Sequence, residues 1–191
     1  MEKERLSFHF DDKILTPGAD EIVRPVHTLP QHEGRLFEYC REHDIVCYLP
    51  LRRDWRILHK SYKHREYTYP REVLVPMFRA YVFARMNSQQ REEIFQSKSI
   101  TRILQVHDQE SFLNELRVVR QLEEIAQSEE LDFNCDIKEG DKFLIESGPW
   151  QGIYGYLTKK EKRFQWVVEI ESIGGLVRAT IDPSKYKMTP M

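Results

Sequence analysis

The sequence predicts an α+β domain over residues 21–127 and a small all-β barrel over residues 137–191, with a linker at 128–136 and an extension at 1–20. Three observations carry this reading. The first half mixes stretches of period two with stretches of period three to four, whereas the second half shows period two alone. The change falls at the acidic run Ser128-Glu129-Glu130-Leu131-Asp132. Beyond it, glycines and prolines divide roughly 55 residues into short apolar strands.

Element by element, Glu21 to His27 reads as a strand, and Thr28-Leu29-Pro30-Gln31 has the spacing of a capping box that opens a helix running to about His43. Leu36, Phe37 and Cys40 share one face of that helix. Ile45 to Leu49 is a compact run of β-formers closed by Pro50. Arg52 to Tyr69 is basic and aromatic without a helical stripe, so it reads as a long, partly exposed β excursion. Met77 to Arg85 reads as one strand in which Met77, Arg79, Tyr81, Phe83 and Arg85 share a face. Asn87-Ser88 caps a short helix, Ile100 to Val106 returns as a strand, and Ser111 caps a last helix whose Phe112, Leu116, Val119, Leu122 and Ala126 form one stripe. This order resembles a ferredoxin-like sandwich. In the second half, Asp141–Glu146, Gly155–Thr158, Gln165–Glu171 and Leu176–Ile181 are strands of a five-stranded barrel.

Composition narrows the function. The chain has 191 residues, 29 Lys and Arg against 31 Asp and Glu, and 40% hydrophobic residues, enough to build a core and too balanced to coat a polyanion by bulk charge. Met1 to Lys13 lacks the apolar segment of a signal peptide, and no apolar run approaches the length that spans a bilayer. Cys40, Cys47 and Cys135 are an odd number in a chain that needs no staples, which points to a reducing, cytoplasmic setting. Cys40, His43 and Cys47, or His107 with Asp108, do not have metal-ligand spacing, so no metal or cofactor is expected. No phosphate-cradling glycine loop, nucleophile elbow or carboxylate pair is present, and the chain reads as a binding protein, not an enzyme.

Two motifs are sharper. Lys142 to Leu157 carries Gly148, Gly152 and Gly155 at spacings of four and three, where the chain must turn tightly between two strands. This resembles a KOW motif, the opening of an SH3-like barrel. Pro76-Met77-Phe78-Arg79-Ala80-Tyr81-Val82-Phe83 resembles the Pro-Leu-Phe-Pro-Gly-Tyr-Val-Phe core of the amino-terminal (NGN) domain of the NusG family. With Tyr48-Leu49-Pro50-Leu51 and the basic segment after it, the chain is most similar to the specialised paralogues of the RfaH and UpxY type, although Arg79-Ala80 replaces the usual Pro-Gly.

The resemblance implies a transcription elongation or antitermination factor. Met77, Phe78, Tyr81 and Phe83 would form a patch on the clamp helices of RNA polymerase, with Tyr81 as the exposed anchor. Nucleic acid, non-template DNA or nascent RNA, would meet His27, Gln31, His32 and Arg35 at the first helix start and Arg52, Arg53, Arg56, Lys60, Lys63 and Arg65 in the basic excursion, which holds six positive residues against Asp54. Ile173, where NusG carries the Phe of a Phe-Gly-Arg turn, would contact a second partner of the barrel, a ribosomal protein or Rho. Some RfaH-type barrels refold as helical hairpins; the alternation of Trp166, Val168 and Ile170 with Val167, Glu169 and Glu171 predicts a β barrel here. The alternative reading is an RNA-binding or ribosome-associated KOW module. A monomer is expected in either case.

Overall fold

A computed structural model of the chain describes residues 7–62, 65–129, 131–132, 140–160 and 163–191. The first domain is built on a four-stranded antiparallel sheet of β1 (Ile22–Thr28), β2 (Cys47–Tyr48), β5 (Tyr81–Met86) and β6 (Ile100–Ile103), in the order β2-β5-β1-β6. Between β2 and β5 the chain leaves the sheet as a separate two-stranded ribbon, β3 (Leu51–Tyr62) and β4 (Arg65–Pro76), paired over twelve registered positions. This is the predicted β excursion.

Alternation along the strands decides what covers each face of the sheet. Val82, Ala84 and Met86 of β5 pack with Val26 against Leu36, Phe37 and Cys40 of α1 (Glu33–Glu42) and Ile94 of α2 (Ser88–Gln96). Val23, Tyr48 and Phe83 face the other way, onto Phe112, Leu116, Val119 and Leu122 of α3 (Gln109–Ile125). The result is a sheet between two helical layers, an α+β sandwich.

Three local readings are corrected. Thr28 stays in β1, where its amide donates to the carbonyl of Ala80 at 2.8 Å, so it cannot cap a helix; α1 begins at Glu33 after a turn in which Gln31 has φ 63°. Sheet pairing outweighs the local capping pattern. The last helix is capped by Asp108, whose carboxylate accepts from the Ser111 amide. Met77 to Ala80 form a turn, not the first half of a strand, because Ala80 lies in the left-handed region at φ 63°.

The second domain is all β, as predicted. Its antiparallel sheet runs β12 (Met188–Pro190), β8 (Asp141–Ile145), β9 (Tyr154–Lys160), β10 (Arg163–Ile170), β11 (Gly175–Ile181), β7 (Leu131–Asp132) around buried Trp150, Ile153, Trp166 and Val168. It has six strands where five were expected. β7 comes from the segment expected as linker, because Leu131 buries its side chain opposite Ala179.

The extension also folds against the first domain. A short 3₁₀ turn at Asp12–Leu15 buries Ile14, Phe10 sets its ring edge-on to Tyr48 at 4.8 Å, and His9 meets Phe37 at 6.0 Å. The guanidinium of Arg120 stacks over Phe10 at 5.0 Å. A cavity of about 460 Å³ lies between this strap and α3, away from the surfaces described next.

Candidate functional site

The turn at Met77–Ala80 is fixed from three sides. The Met77 amide donates to the Pro50 carbonyl (2.8 Å), the Ala80 amide to the Glu33 carboxylate (2.7 Å), and the Ala80 carbonyl accepts from Thr28. A left-handed alanine carries a cost of about 1–2 kcal/mol relative to glycine. Ala80→Gly relieves it while adding unfolded-chain entropy worth ~0.4–1 kcal/mol, so it is expected to stabilise the domain by about 0.5–1 kcal/mol, readable as a shift of the denaturation midpoint.

Of the four aromatic-patch residues, only Tyr81 reaches the surface to a substantial degree. Phe83 is wholly buried against Tyr48 and Phe112, so its role is packing. Met77 and Phe78 are buried too, and part of Phe78's cover is the second domain: a Cβ on Gly175 would sit 3.2 Å from the Phe78 ring and 3.3 Å from Ile173 Cδ1. A cleft of about 190 Å³ opens beside this contact, lined by Met77, Phe78, Tyr81 and Ile173 with Pro76 and Gly175 and by the arginines Arg52 and Arg79. The turn residue predicted to bind the barrel's partner and the aromatic turn predicted to bind polymerase therefore face each other. α3 clips the domains together: Glu115 accepts from the Ser172 amide (3.2 Å), and the Gln121 side-chain amide donates to the carbonyls of Pro149 (2.8 Å) and Gln151 (3.0 Å).

The first predicted nucleic-acid cluster adjoins this cleft. His27 stands edge-on to Tyr81 at 5.1 Å and shares a 2.6 Å hydrogen bond through Nδ1 with the Thr101 hydroxyl. His32 is the N-cap residue of α1, with Gln31 and Arg35 exposed beside it. His27 and Tyr81 thus stand together on the α3 side of the sheet, while Gln31, His32 and Arg35 lie at the start of α1, which covers the other side.

The ribbon holds the second cluster. Arg52 lies 3.8 Å from Asp54 and Arg53 3.2 Å from Glu72, so both are charge-paired. Arg56 is exposed. Lys60 and Arg65 occupy registered strand positions, and Lys63 lies outside the described residues.

The three motif glycines have distinct reasons. Gly148 and Gly152 have φ of 76° and 83°, which favour glycine. Gly155 is enforced by contact instead, since a Cβ there would lie 2.7 Å from the Trp166 ring and from the Val167 carbonyl oxygen.

Cys40 and Cys47 are buried, which removes them as accessible nucleophiles; Cys135 lies outside the described residues. A hydrogen bond with Cys40, reinforced by burial, holds the Cys47 thiol well above its ordinary pKa. Among the described residues, no group of three or more His, Cys, Asp or Glu is placed to hold a metal ion, and no helix is long and apolar enough to cross a membrane.

Sequence reading missed Glu123. Its carboxylate is fully buried in α3 and accepts from Arg120 (2.5 Å), the Tyr48 hydroxyl (3.1 Å) and the Leu51 amide (2.8 Å), which ties the base of the ribbon to the helix. Burial, then the neighbouring carboxylate, raises the Tyr48 phenol well above its usual pKa, so it stays a hydrogen-bond donor. The available signal was Glu123's position four residues after Val119, on the apolar stripe.

The family described as NusG, transcription termination factor nusG, matches residues 24–123, which is 100 of 191 residues and runs from β1 to near the end of α3. The chain belongs to the NusG family. The barrel lies beyond the matched span. No curated protein matches the sequence. Among solved structures, Thermotoga maritima NusG, described for its domain interaction, is 14% identical with a TM-score of 0.51, over 87% of this chain and 96% of that one. That similarity supports the NusG fold across both domains. The MjSpt4:Spt5 complex in conformation B is also 14% identical, covering 89% of this chain and 98% of that one, at a TM-score of 0.29. This chain is a NusG-family transcription factor.

Proposed function

We propose that this NusG-family factor works as a specialised elongation or antitermination factor of the RfaH and UpxY type. Its first domain engages the clamp helices of RNA polymerase through the Tyr81 rim of the interdomain cleft. The observation that carries the reading is the setting of Tyr81, which lines a cleft with Met77, Phe78 and Ile173, bordered by Arg52 and Arg79, and meets the His27 ring edge-on. A cleft with an apolar floor and arginines at its border suits a helical hairpin and needs no sequence reading, while His27 beside it and the polar residues Gln31, His32 and Arg35 at the start of α1 suit an exposed DNA strand. The ribbon supplies a second nucleic-acid contact. Ile173 serves the barrel's own partner, and because it lines the same cleft, either partner gains access to it as the domains part.

A coupling of ~1–3 kcal/mol between polymerase binding and a non-paused state shifts that equilibrium by roughly five- to 150-fold, so the proposed action needs no chemistry. The test is binding to a purified clamp-helix fragment. Tyr81→Ala is expected to lower affinity by about 2 kcal/mol, some 30-fold, in a protein whose circular dichroism is unchanged. Unaltered affinity in the folded variant would remove Tyr81 as the anchor. Direct RNA binding with no clamp-helix binding would favour the RNA-binding or ribosome-associated reading.

A further inference from the structure

The β3–β4 ribbon has two chemically different sides. Directly paired residues of an antiparallel ribbon share a side. One side presents the pairs Arg53/Leu74, Trp55/Glu72, Ile57/Pro70 and His59/Thr68, and its arginine is neutralised by Glu72. The other presents Arg52/Val75, Asp54/Val73, Arg56/Arg71, Leu58/Tyr69 and the position of Tyr67.

The pair Arg56/Arg71 is the informative one. Like charges placed directly opposite destabilise a ribbon. Both residues are exposed, and among the described residues neither guanidinium meets a carboxylate or a carbonyl. Asp54, the nearest carboxylate on this side, lies against Arg52 instead, so among the described residues the pair has no carboxylate partner and a polyanion outside the fold is the fitting complement. The stretch from Leu51 to Pro76 carries seven Lys and Arg against three Asp and Glu in a chain of net charge −2, which concentrates positive potential on this one projection. Next along the same side stand Tyr69 and Tyr67, 41% and 48% exposed, about 6.8 Å apart along the strand. Cationic groups followed by open aromatic rings are the elements of single-strand binding, in which phosphates meet the charges and unpaired bases stack on the rings. A duplex buries its base faces and leaves the tyrosines without a role.

We propose that the Arg56–Arg71–Tyr69–Tyr67 side of the ribbon is a binding site for single-stranded nucleic acid, and that the Arg53–Trp55–Ile57 side takes no part in it. This deepens the nucleic-acid part of the function proposed above and narrows it. Arg71 and the two tyrosines enter the site; Arg53 leaves it.

The test is fluorescence anisotropy of the full chain with labelled oligo(dT), oligo(U) and a duplex, each of about 20 nucleotides so that the span exceeds one binding site. Titrations are repeated over a salt series. Arg56→Gln/Arg71→Gln is expected to weaken single-strand binding at least tenfold and to flatten the log–log salt slope by about 1.4, two phosphate contacts' worth. Tyr69→Ala should lose about tenfold with the slope unchanged. Arg53→Gln/Trp55→Ala should stay within twofold of wild type. Relief of the like-charge pair predicts that the double arginine variant unfolds at the same denaturant concentration as wild type or higher; a lower midpoint would mark the arginines as structural and overturn the assignment. Equal losses from the two sides, tighter binding of duplex, no binding at low salt, or complete displacement of the oligonucleotide by poly-glutamate would each overturn it, the last by reassigning the site to an acidic protein surface. Oligo(dT) against oligo(U) separates DNA from RNA as the source of the strand. The clamp-helix assay on Tyr81 is independent of these titrations, so loss of one reading is distinguishable from loss of the other.

Discussion

Glu123→Leu is expected to destabilise the first domain by about 3–5 kcal/mol, because it strips a buried hydrogen-bond hub while leaving its donors in place. The Leu51 amide and the Tyr48 hydroxyl would both be left in the core without an acceptor, whereas Arg120, 30% exposed, can still turn to Glu124 at 3.1 Å. The loss therefore reflects stranded donors more than a lost ion pair. Glu123→Gln keeps an acceptor for the Leu51 amide and should cost less than half as much. Denaturant titration by circular dichroism gives both values. Similar midpoints for the Leu and Gln variants would show that the hydrogen bonds at Glu123 do not hold the ribbon base.

Gly155→Ala is expected to cost the barrel about 3 kcal/mol, at the upper end of what overpacking a core does. The added methyl would meet the Trp166 ring and the Val167 carbonyl at 2.7 Å, and neither can retreat: Trp166 fills the barrel centre, and Val167 is registered opposite Tyr156 in β9. Gly152→Ala is the internal comparison. No atom lies within 4 Å of its added Cβ, so only the left-handed φ of 83° opposes it, at about 1–2 kcal/mol. Near-ultraviolet circular dichroism of the buried tryptophans reads both. A smaller effect at Gly155 than at Gly152 would mean that turn conformation, not strand contact, governs the motif.

Much of the architecture was legible in the sequence because each signal there was local and mutually consistent. The stripe from Phe112 to Ala126 read as a helix on a sheet, the basic and aromatic run after Pro50 as an extended ribbon, and the glycines at 148 and 152 marked a strand turn, whereas Gly155 lies inside β9 and is required there by Trp166. The errors came where a distant partner overruled a local preference. Thr28 had a capping-box spacing, yet its backbone was already committed to Ala80. Met77 to Ala80 alternated like a strand, yet closes a turn held by Glu33.

The candidate site was legible residue by residue but not as an arrangement. Tyr81 and Ile173 are 92 positions apart, and no periodicity says that the barrel turn lies over Phe78. Phe78 and Phe83 are both apolar aromatics on a motif, and only packing separates a residue that lines a cleft from one that fills the core. In the ribbon, composition showed positive charge, while the pairing register was needed to see that Arg53 is neutralised and that Arg56 stands against Arg71.

The function proposed above has the clamp helices enter the cleft between Tyr81 and Ile173. Amide-resolved NMR of the labelled chain, titrated with the clamp-helix fragment, tests it most directly. His27, Phe78 and Tyr81 on one wall and Ser172 to Gly175 on the other are expected to shift together and saturate at one fragment concentration, as the helices take the place of the barrel turn. Saturable binding that leaves both walls unshifted, with changes confined to the ribbon or the outer face of the barrel, would contradict it.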